Sequence, residues 1–490
     1  MLELRMYIDG KWITSISKEK REVKNPANGE LLAVVADGTA EDAQYAISVA
    51  RSTFNSGIWS KLPFKTRAKY LHKIANLLEE EADDLAMLET LNSGKMLLAA
   101  KTDVQNAIEC FRYYASLITQ SEGEIYNVGD SVQTIVTREP IGVCSLIVPW
   151  NFPLLMAAWQ IAPALAAGNT FILKPSEVTP ITAVKLFEII EKAGVPAGVA
   201  NLVMGAGSSV GSEMVENNLV DKVAFIGGTK TGQNIMRVAA EQTKKITLEL
   251  GGKSPNIVFA DNDIEIAVDN ALFNLFFNSG QVCTAASRLL IEESIHDQFI
   301  ERLIERAKKI VVGHGNKPTS EMGPLVSEAH MQKVLNYIEI GIQEGATLAC
   351  GGNRIVANGF ENGFFVEPTI FINTTPDMRI VQEEIFGPVL VVQKFKDEEE
   401  AITLANDTVF GLAGAVFCQD LEKAMRVVSK IKAGITWVNC YHVATVQAPW
   451  GGYKQSGVGR GLGVFGLDEF SEQKQVNISF KAKPVGWFSN

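Results

Sequence analysis

Gly142–Pro175, GVCSLIVPWNFPLLMAAWQIAPALAAGNTFILKP, is the stretch whose reading decides the fold. From Ile141 to Leu173 it holds no charged residue, a run longer than the roughly 20 residues that span a bilayer. Pro149, Asn151, Pro153, Gln160, Pro163 and Asn169 interrupt it, and lipid would leave the broken backbone without partners. The spacing instead predicts a buried strand, GVCSLIV, a proline-bounded loop, a buried helix, AAWQIAPALAAG, and a second strand, NTFILKP.

The same alternation continues on the C-terminal side. TAVKLFEIIEKAG reads as a helix, and VANLVMG, KVAFIGG and KKITLELGG read as strands, which predicts a parallel, doubly wound sheet. A second α/β series starts near 256 with PNIVFA, helices through 263–279 and 295–312, and the strands TIFINT, VLVVQKF, GAVFCQ and ITWVN. Upstream, 64–93 carries Leu71, Ile74, Leu77 and Leu78 at helical spacing and predicts an amphipathic helix. SVQTIVTREP alternates like a β-ribbon, and EQKQVNISF near the C-terminus reads as a strand that pairs with it, within the chain or across subunits.

A chain of 490 residues exceeds one ordinary domain and predicts two or three. Its 45 basic and 56 acidic residues leave a net charge of −11 without blocks of either sign. That disfavours nucleic acid, which calls for a basic face, and offers no polybasic membrane signal. MLELRMYIDGKWI has no signal-peptide apolar core, so a soluble, cytoplasmic protein is expected. The six cysteines form no CxxC and the five histidines no HxxxH, so no metal site is expected and reduced thiols are the default.

Five motifs bear on chemistry, and each has a plain structural alternative. Cys283 lies in the uncharged FFNSGQVCTAAS, either as a nucleophile or as a small buried hydrophobe. Gly205, Gly207 and Gly211 of GAGSSVG follow a strand and open a helix, where a dinucleotide pyrophosphate would lie; simple turn glycines are the alternative. Lys174 and Glu177 of ILKPSE stand at a strand's carboxyl end, where an acidic side chain accepts from both ribose hydroxyls and repels a 2′-phosphate. A solvated ion pair is the other reading. Glu249 ends an apolar strand, where burial lifts a carboxylate toward general-base range, unless it is an ordinary strand-end glutamate. Asn151 of VPWNFP is either an oxyanion donor or a turn residue.

Taken together, PWNFP, KPSE, LELGGKSPNIVF, GQVCTAASR, QEEIFGPV, NDTVFGLAGAVF and APWGGYKQSGVGR resemble the NAD(P)-dependent aldehyde dehydrogenase superfamily over essentially the whole chain. The resemblance implies a Rossmann-like NAD-binding domain (1–122 and 142–252), an α/β catalytic domain (253–471), and an oligomerisation arm with tail (123–141 and 472–490). It implies a homo-oligomer, dimer or tetramer. It also implies that Cys283 attacks the aldehyde, that Asn151 and the Cys283 N–H hold the oxyanion, and that Glu249 activates the water that hydrolyses the thioester. A base at Glu249 favours the free acid over transfer to coenzyme A. Lys174, Glu177, Trp150, Gly207, Gly211, Gly227, Gly228, Glu384 and Phe386 would then bind the cofactor, NAD in preference to NADP.

Within the superfamily the chain is most similar to betaine-aldehyde and aminoaldehyde dehydrogenases, whose aromatic side chains surround a quaternary ammonium. Carried over, that box is Phe152, Trp159, Phe277 and Trp450, with Ile435 at its edge; an apolar funnel is the alternative. Segments 152–160, 272–284 and 443–450 hold no charged residue, which suits a cationic or apolar aldehyde. The chain departs from the pattern at Phe152 (usually tyrosine), at Val443-Ala444-Thr445, at Ile435, at Ile226 and Gly228 in FIGGTKTG, and at Gly461 in place of glutamate. Gly228 removes a hydroxyl that would contact the pyrophosphate. The expected substrate is betaine aldehyde or a related aminoaldehyde. The alternatives are a bulky apolar aldehyde such as retinal or an aromatic aldehyde, and a catalytically silent binding or structural member of the fold. Cys440 raises the question of a redox partner for Cys283.

Overall fold

The structure is a computed structural model and describes residues 2–120, 123–129, 131–357, 359–482 and 484–487. Strand Val143–Ile147 forms because Val143, Cys144 and Leu146 bury completely between layers of helices, each large apolar side chain contributing about 1.5–3 kcal/mol. It lies between Lys222–Ile226 and Thr170–Lys174 in an eight-stranded sheet. The full order is Gly457–Val458, Lys245–Glu249, Lys222–Ile226, Val143–Ile147, Thr170–Lys174, Ala200–Leu202, Met6–Ile8 and Lys11–Ile13. The five strands from Lys245–Glu249 to Ala200–Leu202 are parallel. Chain order reverses at Val143–Ile147, so the loops after it and after Lys222–Ile226 diverge and leave a crevice at the strands' carboxyl ends.

Pro149 halts the Val143–Ile147 strand, and Pro153 starts the next helix with its fixed φ at the first helical position. That helix, Pro153–Ala167, is buried along nearly its whole length and stops at Gly168 in the left-handed conformation (φ 101°). The loop 148–152 is thus pinned at both ends.

The second sheet has seven strands, ordered Thr347–Cys350, Thr369–Ile372, Val389–Phe395, Arg288–Glu292, Pro255–Val258, Ala413–Phe417 and Ile435–Val438. All pairs but the first are parallel. A third sheet joins Glu124–Asn127, Val132–Pro140 and Ser471–Ser479 as antiparallel ribbons. The mixed α/β class and the β-arm are as expected.

Several local expectations are corrected. The helix expected over 64–93 is two, Phe64–Glu80 and Ala82–Ser93, broken at Glu81 (φ −103°, ψ 13°). The helix expected to reach 279 ends at Phe276, and that expected over 295–312 spans His296–Ala307. Arg288–Glu292 is a strand that the alternation did not reveal. GAGSSVG opens a π-turn, Gly207–Gly211, and then only a short helix, Ser212–Glu216. The C-terminal strand pairs with the ribbon of its own chain, Ser471 opposite Pro140 through Ser479 opposite Val132. Gly457–Val458 joins the first sheet, and Leu467 and Phe470 pack into its core. Of the terminal VGWFSN, residues 488–490 lie outside the described residues, as do 121, 122, 130, 358 and 483.

Among the described residues no helix is long and apolar enough to cross a membrane, and no group of three His, Cys, Asp or Glu could hold a metal ion.

Candidate active site

Cys283 is presented by an unusual turn. Helix Ile264–Phe276, capped by Asp263 through the Glu265 and Ile266 amides, gives way to Asn278 (φ 49°), Ser279 (φ 58°) and Gly280 (φ 72°). Two successive non-glycine residues in the left-handed region cost about 1–2 kcal/mol each, so the turn must be held from outside. Ser279 Oγ donates to Gly323 O at 2.8 Å, Gln281 Nε2 donates to Asn278 O at 3.1 Å, and Val326 N donates to Gln281 Oε1 at 2.9 Å. A Cβ on residue 280 would lie 2.1 Å from Gly387 O, so only glycine fits. Burial, then the charges of Glu249 and Glu384, push the Cys283 thiol up to about 12, offset in part by the Thr284 and Cys283 amides.

Asn151 reaches the same point from the first sheet. Its Nδ2 donates to Gln281 O at 3.0 Å. A primary amide has two N–H groups, so one remains for a ligand oxygen in the cleft that Asn151 and Cys283 both line.

Glu249 ends strand Lys245–Glu249, its carbonyl accepting from Gly227 N at 3.0 Å. Both carboxylate oxygens are buried, and among the described residues no side chain hydrogen-bonds to them, the Gly461 backbone N–H being the polar group that eases the charge beside Arg460. Burial holds the carboxyl well above its ordinary range, and the Arg460 guanidinium opposes the shift. A Cβ at Gly451 would lie 2.9 Å from both Glu249 Oε1 and Arg460 Cδ, so glycine lets the carboxylate and the arginine stem share this corner.

A cavity of about 1150 Å³ joins these groups. Trp150, Phe152, Trp159, Gly227, Gly228, Phe277, Glu384, Phe386 and Trp450 also line it. Trp159 and Trp450 meet at 5.4 Å between ring centroids. Ile435 does not line it: the residue pairs with Ala413 and packs against the core of the second sheet. Cys440 packs against the same core and is absent from the cavity wall.

Lys174, Glu177, Gly207 and Gly211 lie outside this cavity but together. Gly207 N donates to Glu177 Oε1 at 2.7 Å, Lys174 Nζ donates to the same oxygen at 3.3 Å, and a Cβ at Gly211 would stand 3.8 Å from Lys174 Cδ.

Sequence reasoning missed several wall residues. His330 and Lys333 line the cavity beside Trp150 and Phe386, and Asp103 and Glu109 line it from helix Leu97–Gln120. The uncharged segments therefore do not make an uncharged cavity. Asp103 Oδ2 accepts from Lys95 Nζ at 2.5 Å, and burial raises its carboxyl to about 6 against the lysine's pull. Lys95 in turn lies 4.3 Å over the Phe152 ring. No motif marks these positions, because the helix they face shows only ordinary apolar spacing.

The residues present fit a dinucleotide. The helix Thr229–Ala240 begins at Gly228 with no side-chain cap, so its first amides are available to a pyrophosphate. Nothing stands within 4 Å of where a Gly228 side chain would be. Glu384 Oε1 accepts from Gly252 N at 3.1 Å, and the Trp150 and Phe386 rings meet edge-on at 5.2 Å.

The chain matches known proteins over nearly its whole length. The profile described as aldehyde dehydrogenase family matches residues 12–476. The chain is 52% identical to a betaine aldehyde dehydrogenase of Bacillus subtilis (strain 168), covering 99% of both chains. It is 44% identical to retinal dehydrogenase 2 of Homo sapiens, covering 98% of this chain and 92% of that one. The crystal structure of a betaine aldehyde dehydrogenase from Staphylococcus aureus in complex with NAD+ superimposes with a TM-score of 0.98 at 47% identity, covering 100% of this chain and 97% of that one.

Proposed function

Because the chain belongs to the aldehyde dehydrogenase family and is an NAD-dependent oxidoreductase, we propose that it oxidises betaine aldehyde or a related aminoaldehyde to the carboxylic acid. The observation that carries this reading is that Glu249, a buried carboxylate with no side-chain hydrogen-bond partner among the described residues, stands in the wall of the cavity that Cys283 and Asn151 also line.

In this reading the Cys283 sulfur attacks the aldehyde carbon. A thiol held near 12 needs a proton acceptor at neutral pH, and Glu249, whose charge opposes thiolate formation, is the carboxylate placed to take that proton. The free Asn151 N–H and the Cys283 backbone N–H receive the developing oxyanion. NAD+, when bound, accepts the hydride from the thiohemiacetal carbon. Once that proton has passed to solvent, Glu249 takes a second from water, the resulting hydroxide adds to the thioester, and the carboxylic acid leaves as the C–S bond breaks, the Cys283 thiolate recovering its proton from Glu249. Lys174 and Glu177 would bind the adenosine ribose, Gly207, Gly211, Gly227 and Gly228 would line the dinucleotide's path, and Glu384, Trp150 and Phe386 would position its nicotinamide end.

The substrate class follows from the wall. Trp159, Trp450 and Phe277 offer rings to a cation, whereas the Phe152 ring and Asp103 are already engaged by Lys95, so the tryptophan pair and Phe277 carry the preference. We assign the chain to the cytoplasm as a homo-oligomer, dimer or tetramer, joined through the arm, where Ile125, Val128, Val476 and Phe480 are exposed. The cofactor domain is drawn from 1–122 and 142–252, with 457–470 added to it.

The test is NADH formation with betaine aldehyde and with its neutral isostere 3,3-dimethylbutanal, Cys283→Ala serving as blank. A kcat/KM favouring the cation by about tenfold, about 1.4 kcal/mol, supports charge recognition by the box. Equal rates, or preference for the neutral aldehyde, point to an apolar funnel and a bulky aldehyde.

A further inference from the structure

His330 lies in the first turn of helix Glu328–Gln343, its backbone N donating to Ser327 Oγ at 3.3 Å. Its half-buried imidazole packs against two rings of the cavity, 4.9 Å from Trp150 and 6.0 Å from Phe386 between centroids. Nε2 stands 2.7 Å from Phe386 O, and since a carbonyl only accepts, Nε2 carries the proton.

The residue it holds is strained. Phe386 has φ 66°, a conformation that a bulky side chain adopts only when its surroundings impose it. Among the described contacts, the His330 bond fixes the Phe386 carbonyl directly, and the carbonyl plane sets where the ring projects. That ring meets Trp150 edge-on at an interplanar angle of 90°. Burial also pulls the imidazole down to about 4, so it stays neutral, with a single N–H, across the physiological range.

We propose that His330 is a positioning residue for the nicotinamide end of the cofactor: its Nε2–H clamps the strained Phe386 backbone and so keeps the Trp150–Phe386 wall in place. This rests on the reading that NAD+ lies against that wall. The imidazole itself need not touch the cofactor, and nothing in the adenosine cluster around Lys174 and Glu177 depends on it.

The test is calorimetric binding of NAD+ and of ADP-ribose, which shares every group of NAD+ except the nicotinamide. His330→Ala is expected to weaken NAD+ by about fivefold, the worth of one net hydrogen bond, and to leave ADP-ribose within about twofold. His330→Gln, which can restore a donor, should recover NAD+ binding. His330→Phe, which keeps a ring without the donor, should behave like the alanine variant and guards against a variant that fails to fold. Equal weakening of both ligands, no weakening of either, or full NAD+ affinity in His330→Phe overturns the proposal. Failure of the unmodified chain to bind NAD+ overturns instead the reading beneath it.

Discussion

The side-chain amide of Asn151 donates to the backbone carbonyl of Gln281 at 3.0 Å, tying the loop after a strand of the first sheet to the turn that presents Cys283. The bond orients the amide, and Asn278 Nδ2 approaches the same Gln281 carbonyl at 3.3 Å, so the junction survives loss of one donor.

Asn151→Ala should therefore leave the fold intact and lower kcat by about 100-fold, the usual cost of one oxyanion donor. Steady-state NADH formation, with thermal unfolding as the control for folding, measures this. A loss confined to KM would assign Asn151 to substrate binding instead.

Glu249 links activity to stability. Its folded-state proton affinity is raised above the ordinary 4.5 by burial, so above that pH the folded chain binds more protons than the unfolded chain. Stability contributed at low pH is lost as pH rises through the folded value. Glu249→Gln cannot ionise, so its Tm should exceed that of the unmodified chain at pH 8, with the gap closing toward pH 4.5. Arg460→Gln removes the opposing charge and should move the acid limb of kcat to higher pH. A Tm gap that does not vary with pH would contradict the account.

Gly228→Ser should tighten NAD+. The backbone there (φ −70°, ψ 141°) suits any residue, and the space is open, so a serine hydroxyl can turn toward the pyrophosphate. A hydroxyl that reaches the pyrophosphate should lower the KM for NAD+ by about twofold to tenfold at unchanged kcat. An unchanged KM would place the pyrophosphate elsewhere.

The three residues proposed for catalysis were legible as candidates because each sits in a short segment whose local chemistry is distinctive: Asn151 between two prolines, Glu249 at the end of an apolar strand before two glycines, Cys283 in an uncharged turn. His330 was not, because its role arises from a carbonyl 56 positions away. The left-handed Asn278 and Ser279 were hidden for the same reason, their conformation being imposed by Gly323 and Val326 from another loop. Ile435, the first residue of ITWVN, was placed at the pocket edge by the family resemblance alone. Its register opposite Ala413 sets it against the second core instead. The break at Glu81 was invisible because apolar spacing continues on both sides of a single non-helical residue.

The central claim is that the acyl group passes to Cys283 and leaves by hydrolysis at Glu249. The direct test is intact-protein and peptide mass spectrometry of Glu249→Gln mixed with NAD+ and betaine aldehyde. The account predicts one NADH per subunit, formed more slowly than in the unmodified chain because the thiol has lost its proton acceptor, then a near-halt in turnover, and an acyl adduct on the peptide containing Cys283. Steady turnover without an adduct, or an adduct that persists in Cys283→Ala, would contradict it.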